Sequence, residues 1–334
     1  MSSGDDSADP SGGRANAYLL ESDDWDNIKA LPLLDLSKQT DPEYSNTDVS
    51  SLASTRITLT VTLDQILFHF QNIEIAEQLS RIQPIQIRSG FYGLMSRLFC
   101  LNPQRLDSSL CDERNRVFAV ALHPFSNHDA IQTKFLITIY QKLTGNALMD
   151  RRFGNHWEDI GFQGTDPATD LRGVGLLGLY QLLYFILSPE TSHLCKEIYK
   201  LSLDKRQHFP FAVMSLQITG ISLQVLREGL LNKEFNQSKC VIKVFNWFYS
   251  AVFLQLFNTW KENNKTIIDS GYVLKDIRKL VRKDVKRVIL EMLNYKNNFQ
   301  TNSNCNDKNT QQDITFTNLG DIFENIDIID ENTS

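Results

Sequence analysis

A chain of 334 residues at 42% hydrophobic and 22% charged carries enough apolar material for a sizeable core, which excludes a wholly disordered, collagen-like or disulfide-scaffold protein. The net charge of −6 conceals a division, since residues 1–50 hold 11 acidic against 3 basic side chains, residues 298–334 hold 7 against 1, and residues 51–297 net +8. No run approaches the roughly 18 to 20 apolar residues that a membrane-spanning helix requires, and the longest, Val244–Phe257, is interrupted by Asn246, Ser250 and Gln255.

The acidic start, MSSGDDSADPSGGRANAYLL, has no apolar stretch behind a basic segment. Neither a secretory signal nor a transit peptide is expected, and an intracellular setting is. Residues 1–55 lack sustained periodicity and are expected to be a disordered acidic segment, with local order at most around 31–36. RITLTVTL, residues 56–63, has the alternation of a short strand but no partner strand in the sequence.

From Leu63 to Asn297 the pattern is helical almost throughout, and the expected fold is a compact all-α, multi-helix domain over residues 56–297. Ile131, Phe135, Ile139 and Leu143 recur every four residues, with Asn127 or Asp129 to cap the start and Gly145 to end the helix in the left-handed conformation. Pro189 is expected to open a helix with Leu194, Ile198 and Leu201 on its apolar face. Residues 211–231 and 239–261 are apolar over more of their circumference and suit central helices. Residues 271–293 read as one last long helix, its apolar face opposed by Lys275, Arg278, Lys279, Arg282, Lys283, Lys286 and Arg287. Such a face suits anionic lipid, an acidic partner or the protein's own tails, although a solvated surface is the simpler reading.

The tail, residues 298–334, is expected to be acidic and disordered. Leu319, Ile322, Phe323 and Ile326 fall at helix spacing there, as a docking helix would have them, but an unanchored tail is favoured. Five cysteines (Cys100, Cys111, Cys195, Cys240, Cys305) are odd in number and widely spaced, as free thiols would be. The six histidines show no HExxH and no i, i+4 pair, so no metal or Ser-His-Asp site is indicated.

One segment departs from helical patterning. Residues 157–182, WEDIGFQGTDPATDLRGVGLLGLYQL, concentrate five glycines, a proline and a tryptophan. Glycine costs a helix about 1 kcal/mol relative to alanine, so such a cluster requires close backbone approach or tight turns. Asp166 ahead of Pro167, or Thr169 and Asp170, can cap a helix start. Gly173, Gly175 and Gly178 spell GxGxxG, but PATDLR precedes them where a dinucleotide fold needs a strand. No GxxxxGK[ST] occurs. Glu158 and Asp159 are adjacent, and they read as surface groups or as partners for Arg151, Arg152 or Arg172.

Trp157, Gly161, Phe162, Gln163, Pro167, Thr169, Asp170, Arg172, Gly173, Gly175, Leu179 and Leu182 resemble, at every position, the ELMO-domain signature WxxxGFQxxxPxTDxRGxGxxxLxxL. QKLTG before it and FPFAVMSLQIT, VLREGL, FYSAVFLQL and TIIDSGYVLKDI after it extend the resemblance over about residues 113–293, most closely to the third branch of the small single-domain members. The resemblance implies an all-helical domain that activates GTP hydrolysis by Arf-family small GTPases, including Arf-like ones. It does so without a complete catalytic site or cofactor of its own, because GTP and Mg²⁺ belong to the partner.

The family's required arginine falls on Arg172, so the catalytic role, an arginine finger supplied in trans, is expected there. Gln163, Asp166, Thr169 and Asp170 are expected to shape the loop or touch the partner, and Gly173 and Gly175 to let the partner's backbone approach. Trp157 and Phe162 are expected to anchor the loop in the core. Without the family, Arg172 reads as a capping or salt-bridging arginine. The alternative function is a non-catalytic module that binds a GTPase or cytoskeletal partner. No nucleic-acid partner is expected, membrane contact is at most peripheral, and residence is cytoplasmic with actin or ciliary links by resemblance alone.

Overall fold

The computed structural model describes residues 60–82, 104–146 and 152–304. Among these every regular element is helical and no strand occurs. The expected disorder at 1–55, the tail beyond Asn304 with its helical pattern at 319–326, and Cys100 and Cys305 lie outside the described residues, as do positions 56–59 of the strand-like stretch, whereas residues 298–304, expected to begin the disordered tail, are the end of the last helix. At its described end that stretch is the entry to a helix. Thr62 and Gln65 form a reciprocal capping box at the start of α1 (Leu63–Asn72), and the Val61 N–H donates to Thr138 Oγ1 at 2.9 Å.

After α1 come α2 (Ala76–Arg81), α3 (Cys111–Leu122), α4 (Ala130–Thr144), α5 (Gly175–Leu187), α6 (Ser192–Ser202), α7 (Phe211–Arg227), α8 (Asn232–Ser238), α9 (Val241–Glu262), α10 (Ser270–Lys283) and α11 (Val285–Asn304). Helix α4 has the expected limits: Asp129 Oδ1 accepts from Ile131 N at 3.0 Å, and Gly145 takes φ +76° as the C-cap. Three expectations need correction. Regular helix at α6 begins at Ser192, after a turn that holds Pro189, because Thr191 Oγ1 donates back to Phe185 O at 3.0 Å and stitches α5 to α6. The stretch 211–231 stops at Arg227, where Gly229 adopts φ +72° and turns the chain into α8. The single helix expected over 271–293 is two, broken at Asp284, whose backbone leaves the helical region (φ −150°, ψ 77°) and whose carboxylate caps Arg287 N at 3.0 Å. Aspartate favours caps over helix interiors because its short side chain competes for backbone N–H groups.

Helices α5 and α9 are central. Helix α5 packs against α1, α3, α4, α6 and α7, and α9 against α3, α5, α7, α8, α10 and α11. Trp247, Phe248, Tyr249, Phe253 and Trp260 of α9 are fully buried. Phe253 stacks with Phe185 and Phe211, with ring centroids 5.2 and 5.7 Å apart. Each such ring contributes roughly 2–3 kcal/mol by leaving water. Among the described residues no single helix is long and apolar enough to cross a membrane, and α5 is spent inside the core.

The start of α9 is held by a carboxylate from elsewhere in the chain. Glu113 of α3 accepts from Val241 N at 2.9 Å and from Ile242 N at 2.8 Å, satisfying two of the donors that a helix N-terminus leaves orphaned and placing negative charge at the positive end of the dipole. Glu113→Ala is expected to lower the unfolding free energy by about 2 kcal/mol, and Glu113→Gln by less, since one acceptor survives. Urea denaturation followed by circular dichroism measures both, and an unchanged midpoint in Glu113→Ala would contradict the role.

Candidate functional site

The glycine-rich segment is two 3-10 helices, Asn155–Ile160 and Pro167–Gly173, joined by a short loop. Its first helix is anchored by Trp157, which is fully buried, donates Nε1–H to Arg152 O at 3.0 Å and meets the rings of Tyr140 and Phe162 edge-on at 5.8 and 6.1 Å. Phe162 is likewise buried. Gly161 makes the next turn at φ +86°, and a Cβ placed there would lie 2.2 Å from Phe211 N. Its carbonyl accepts from Val213 N at 3.0 Å, so the turn caps the N-terminus of α7.

The second 3-10 helix starts as the sequence suggests, with Asp166 as N-cap accepting from Ala168 N at 2.9 Å and Pro167 in the first turn. Its exit departs from expectation. The regular helix α5 begins only at Gly175, bent by 107° from the 3-10 helix, so Asp166 caps the short turn carrying Arg172 and not α5. Gly175, expected to admit a partner's backbone, is instead buried at φ +54°. A Cβ there would lie 2.5 Å from Ala121 O, and the adjoining Leu176 N donates to His123 O at 3.0 Å. The close approach that excludes a side chain is made by the end of α3. Gly178 is a helix-packing glycine, its would-be Cβ 2.5 Å from Leu216 of α7. Gly173 is exposed.

The polar residues knit the turn internally. Asp170 Oδ2 accepts from the backbone N–H of Gln163 at 2.6 Å, and Thr169 Oγ1 donates to Asp166 O at 2.8 Å. The side chains of Gln163 and Thr169 remain exposed. Burial pushes the Asp170 carboxyl above its ordinary value against the pull of the Gln163 N–H; Asp166 adds to the rise and Arg172 opposes it. Asp166 is occupied by Arg152, whose Nη2 lies 2.6 Å from Oδ1. The Arg152 guanidinium also stands over the rings of Phe125 and Phe153, each 4.7 Å away, and donates Nε–H to Asn127 at 2.9 Å. Sequence proximity suggested Glu158 or Asp159 as partners for Arg152; both are exposed, and Asp159 accepts from Tyr140 at 3.3 Å. The pairing of Arg152 with Asp166 is what sequence reasoning missed. Its pairing runs across 14 residues and depends on the turn at Gly154, which takes φ +144° and whose N–H donates to Thr165 O at 3.0 Å.

Arg172 is exposed, and among the described residues it takes part in no hydrogen bond or ion pair. Its two nearest candidates in sequence, Asp166 and Asp170, are engaged by Arg152 and by Gln163 N. The arrangement presents a permanently charged, forked donor on a turn fixed by proline, by a side-chain cap and by two glycines locked against the protein's own backbone. Among the described residues no three His, Cys, Asp or Glu side chains converge as a metal site requires.

The ELMO/CED-12 family profile matches residues 115–274, which include the whole segment. ELMO domain-containing protein 3 of Homo sapiens is 42% identical over 229 residues, covering 69% of this chain and 60% of that protein. Its Mus musculus counterpart is 41% identical over 235 residues, covering 70% and 61%. ELMO domain-containing protein B of Dictyostelium discoideum is 26% identical over 214 residues, covering 64% and 66%. The matched region thus spans about 60% of the length of the mammalian relatives. No solved structure matches the chain. Through residues 115–274 the chain belongs to the ELMO/CED-12 family.

Proposed function

We propose that this protein activates GTP hydrolysis by an Arf-family small GTPase, Arf-like members included, by inserting Arg172 into the partner's nucleotide site. Membership of a family of GTPase-interacting modules supplies the partner class. The observation that carries the finer reading is the exposed Arg172 guanidinium, which makes no hydrogen bond or ion pair among the described residues and stands on a turn where Asp166 is paired with Arg152 and Asp170 accepts from Gln163 N.

The chemistry asks for such a group. As the γ-phosphoryl leaves, charge develops on the phosphate oxygens, and a small GTPase neutralises it incompletely by itself. A guanidinium from outside is protonated at any working pH and donates two parallel hydrogen bonds, stabilising the transition state more than bound GTP. Among the described residues Arg172 is held in no competing ion pair, so no such pair has to break on its transfer to phosphate. The nucleotide and its Mg²⁺ belong to the GTPase, and this chain contributes the cation and the surface that orients it. Cytoplasmic residence, with actin-rich or ciliary associations, belongs to the same reading.

Two kinds of variant separate the finger from the turn that carries it. Arg172→Ala removes an exposed side chain, so the melting temperature and the affinity for the GTP-loaded GTPase are expected to stay near wild type. Single-turnover hydrolysis of preloaded GTP is expected to slow by about 10³ to 10⁵-fold. Arg172→Lys, which keeps charge and loses the fork, falls between. An acceleration untouched by Arg172→Ala, with binding retained, means that Arg172 is not catalytic, and a wild type that binds the GTPase without accelerating hydrolysis is a non-catalytic interaction module. Gly161→Ala acts otherwise: with its Cβ 2.2 Å from Phe211 N at φ +86°, it is expected to destabilise the domain by more than about 2 kcal/mol and to lower activation and binding together. Thermal melts beside the hydrolysis assay check this, and a wild-type melt with activation lost would contradict the packing role of Gly161.

A further inference from the structure

The outward face of α10 has no place in the proposed exchange with a GTPase, and it is built unlike ordinary solvated surface. Val273, Ile277 and Val281 point into the core, which places Tyr272, Lys275, Lys279 and Lys283 along the opposite pole, spaced three and four residues apart and all exposed, with one carboxylate among them, Asp276, 3.5 Å from Lys279 Nζ. The stripe begins with large apolar groups. Tyr272 is 76% exposed, and Ile268, in the 3-10 turn Ile267–Asp269 just before the helix, is 78% exposed. Both are held out by rigid structure, since Thr266 and Asp269 form a reciprocal capping box across that turn.

A second projection lies at the same end of the molecule. The loop between α6 and α7 carries Leu203 at 59% exposure, followed by the exposed Lys205 and Arg206. Asp204 within it is consumed by the N–H groups of Arg206 and Gln207, both 2.8 Å away. The loop is tied to the end of α9 by a reciprocal pair: Gln207 Nε2 donates to Trp260 O, and Trp260 Nε1 to Gln207 O, each at 2.9 Å. Helix α9 leads directly into the turn that bears Ile268. Pro210 and Phe211, against which Gly161 packs, follow this loop, so the segment carrying Arg172 rests on that end too.

We infer that this end of the domain is a contact surface for an anionic lipid bilayer, with Leu203, Ile268 and Tyr272 entering the interface and Lys275, Lys279 and Lys283 meeting phosphate headgroups. Charge complementarity and shape choose this occupant. The apolar groups project from a loop tip, a turn and a first helical turn, whereas a docking helix needs a groove to receive anchors at i, i+3, i+4 and i+7. A deformable interface accepts separate protruding side chains, and the lysines supply the attraction that so few apolar groups lack by themselves. The competing occupant is the protein's own acidic segment, residues 313–331. The inference does not depend on any role for Arg172.

The test is sedimentation of the full chain with vesicles of phosphatidylcholine alone or with 30% phosphatidylserine. The wild type is expected to bind only the anionic vesicles and to be released by salt. Ile268→Ser with Tyr272→Ser is expected to reduce partitioning at least tenfold. Lys275→Ala with Lys279→Ala is expected to reduce it about 25-fold, at roughly fivefold per cation. All four side chains are exposed, so melting temperatures should hold. Phe68→Ser, equally exposed but on α1 near the other end of α9, is expected to change nothing. A wild type that ignores anionic vesicles, or binding that survives both double substitutions, overturns the inference. Saturable binding of a peptide copying residues 313–331, weakened by the same substitutions and without vesicle binding, assigns the surface to the protein's own tail instead.

Discussion

The geometry of the candidate site depends on the meeting of two glycines with the backbone of other helices. At Gly161 the chain presses against the start of α7, and at Gly175 against the end of α3, so closely that any side chain would overlap main-chain atoms. These two contacts tie the chain to the core on either side of the short 3-10 helix bearing Arg172. Loops carry function because they sit at the surface, but a surface loop presents a group usefully only if something rigid positions it. Here the rigid support is α5, α7 and α3, with Trp157 and Phe162 buried beneath.

The polar pairing around the turn engages the acidic neighbours of Arg172 elsewhere. Two aspartates within six residues would ordinarily hold an arginine in place by ion pairing. Asp166 is taken by Arg152, itself wedged between two phenylalanine rings, and Asp170 by a backbone N–H. The partly buried Asp170 therefore works as a brace between the two halves of the segment, while the guanidinium two residues later faces solvent. Exposed ion pairs are worth little, and among the described residues Arg172 makes none, so on the proposed reading it would meet a phosphate without first breaking one.

Much of this was legible in the sequence because local rules decide it. Asp129 and Gly145 bound α4 as cap chemistry requires, and Asp166 with Pro167 begins a helical turn. The cluster of glycines correctly signalled close backbone contact. What the sequence did not reveal was whose backbone: Gly175 looks like an opening for a partner, and only tertiary packing shows α3 filling it. Asp284 was readable in principle, since an aspartate amid an otherwise uninterrupted helical stretch is a natural cap, but the apolar period continues across it and hid the break. Arg152 could not have been paired with Asp166 by spacing, because the turn at Gly154 that brings them together is itself set by Trp157 entering the core. The Glu113 cap on α9 is of the same kind, joining residues 128 and 129 positions apart.

The central claim is that Arg172 acts on the transition state of the partner's reaction, and not on its ground state. GDP with aluminium fluoride imitates the transferring phosphoryl group in a GTPase site, so affinity for the GTPase in that form measures transition-state recognition without turnover. The account expects the wild type to bind that complex at least a hundredfold more tightly than the GDP form, and Arg172→Ala to lose this preference while its affinity for the GTP form is kept. Equal affinities of wild type and Arg172→Ala for the fluoride complex would contradict it.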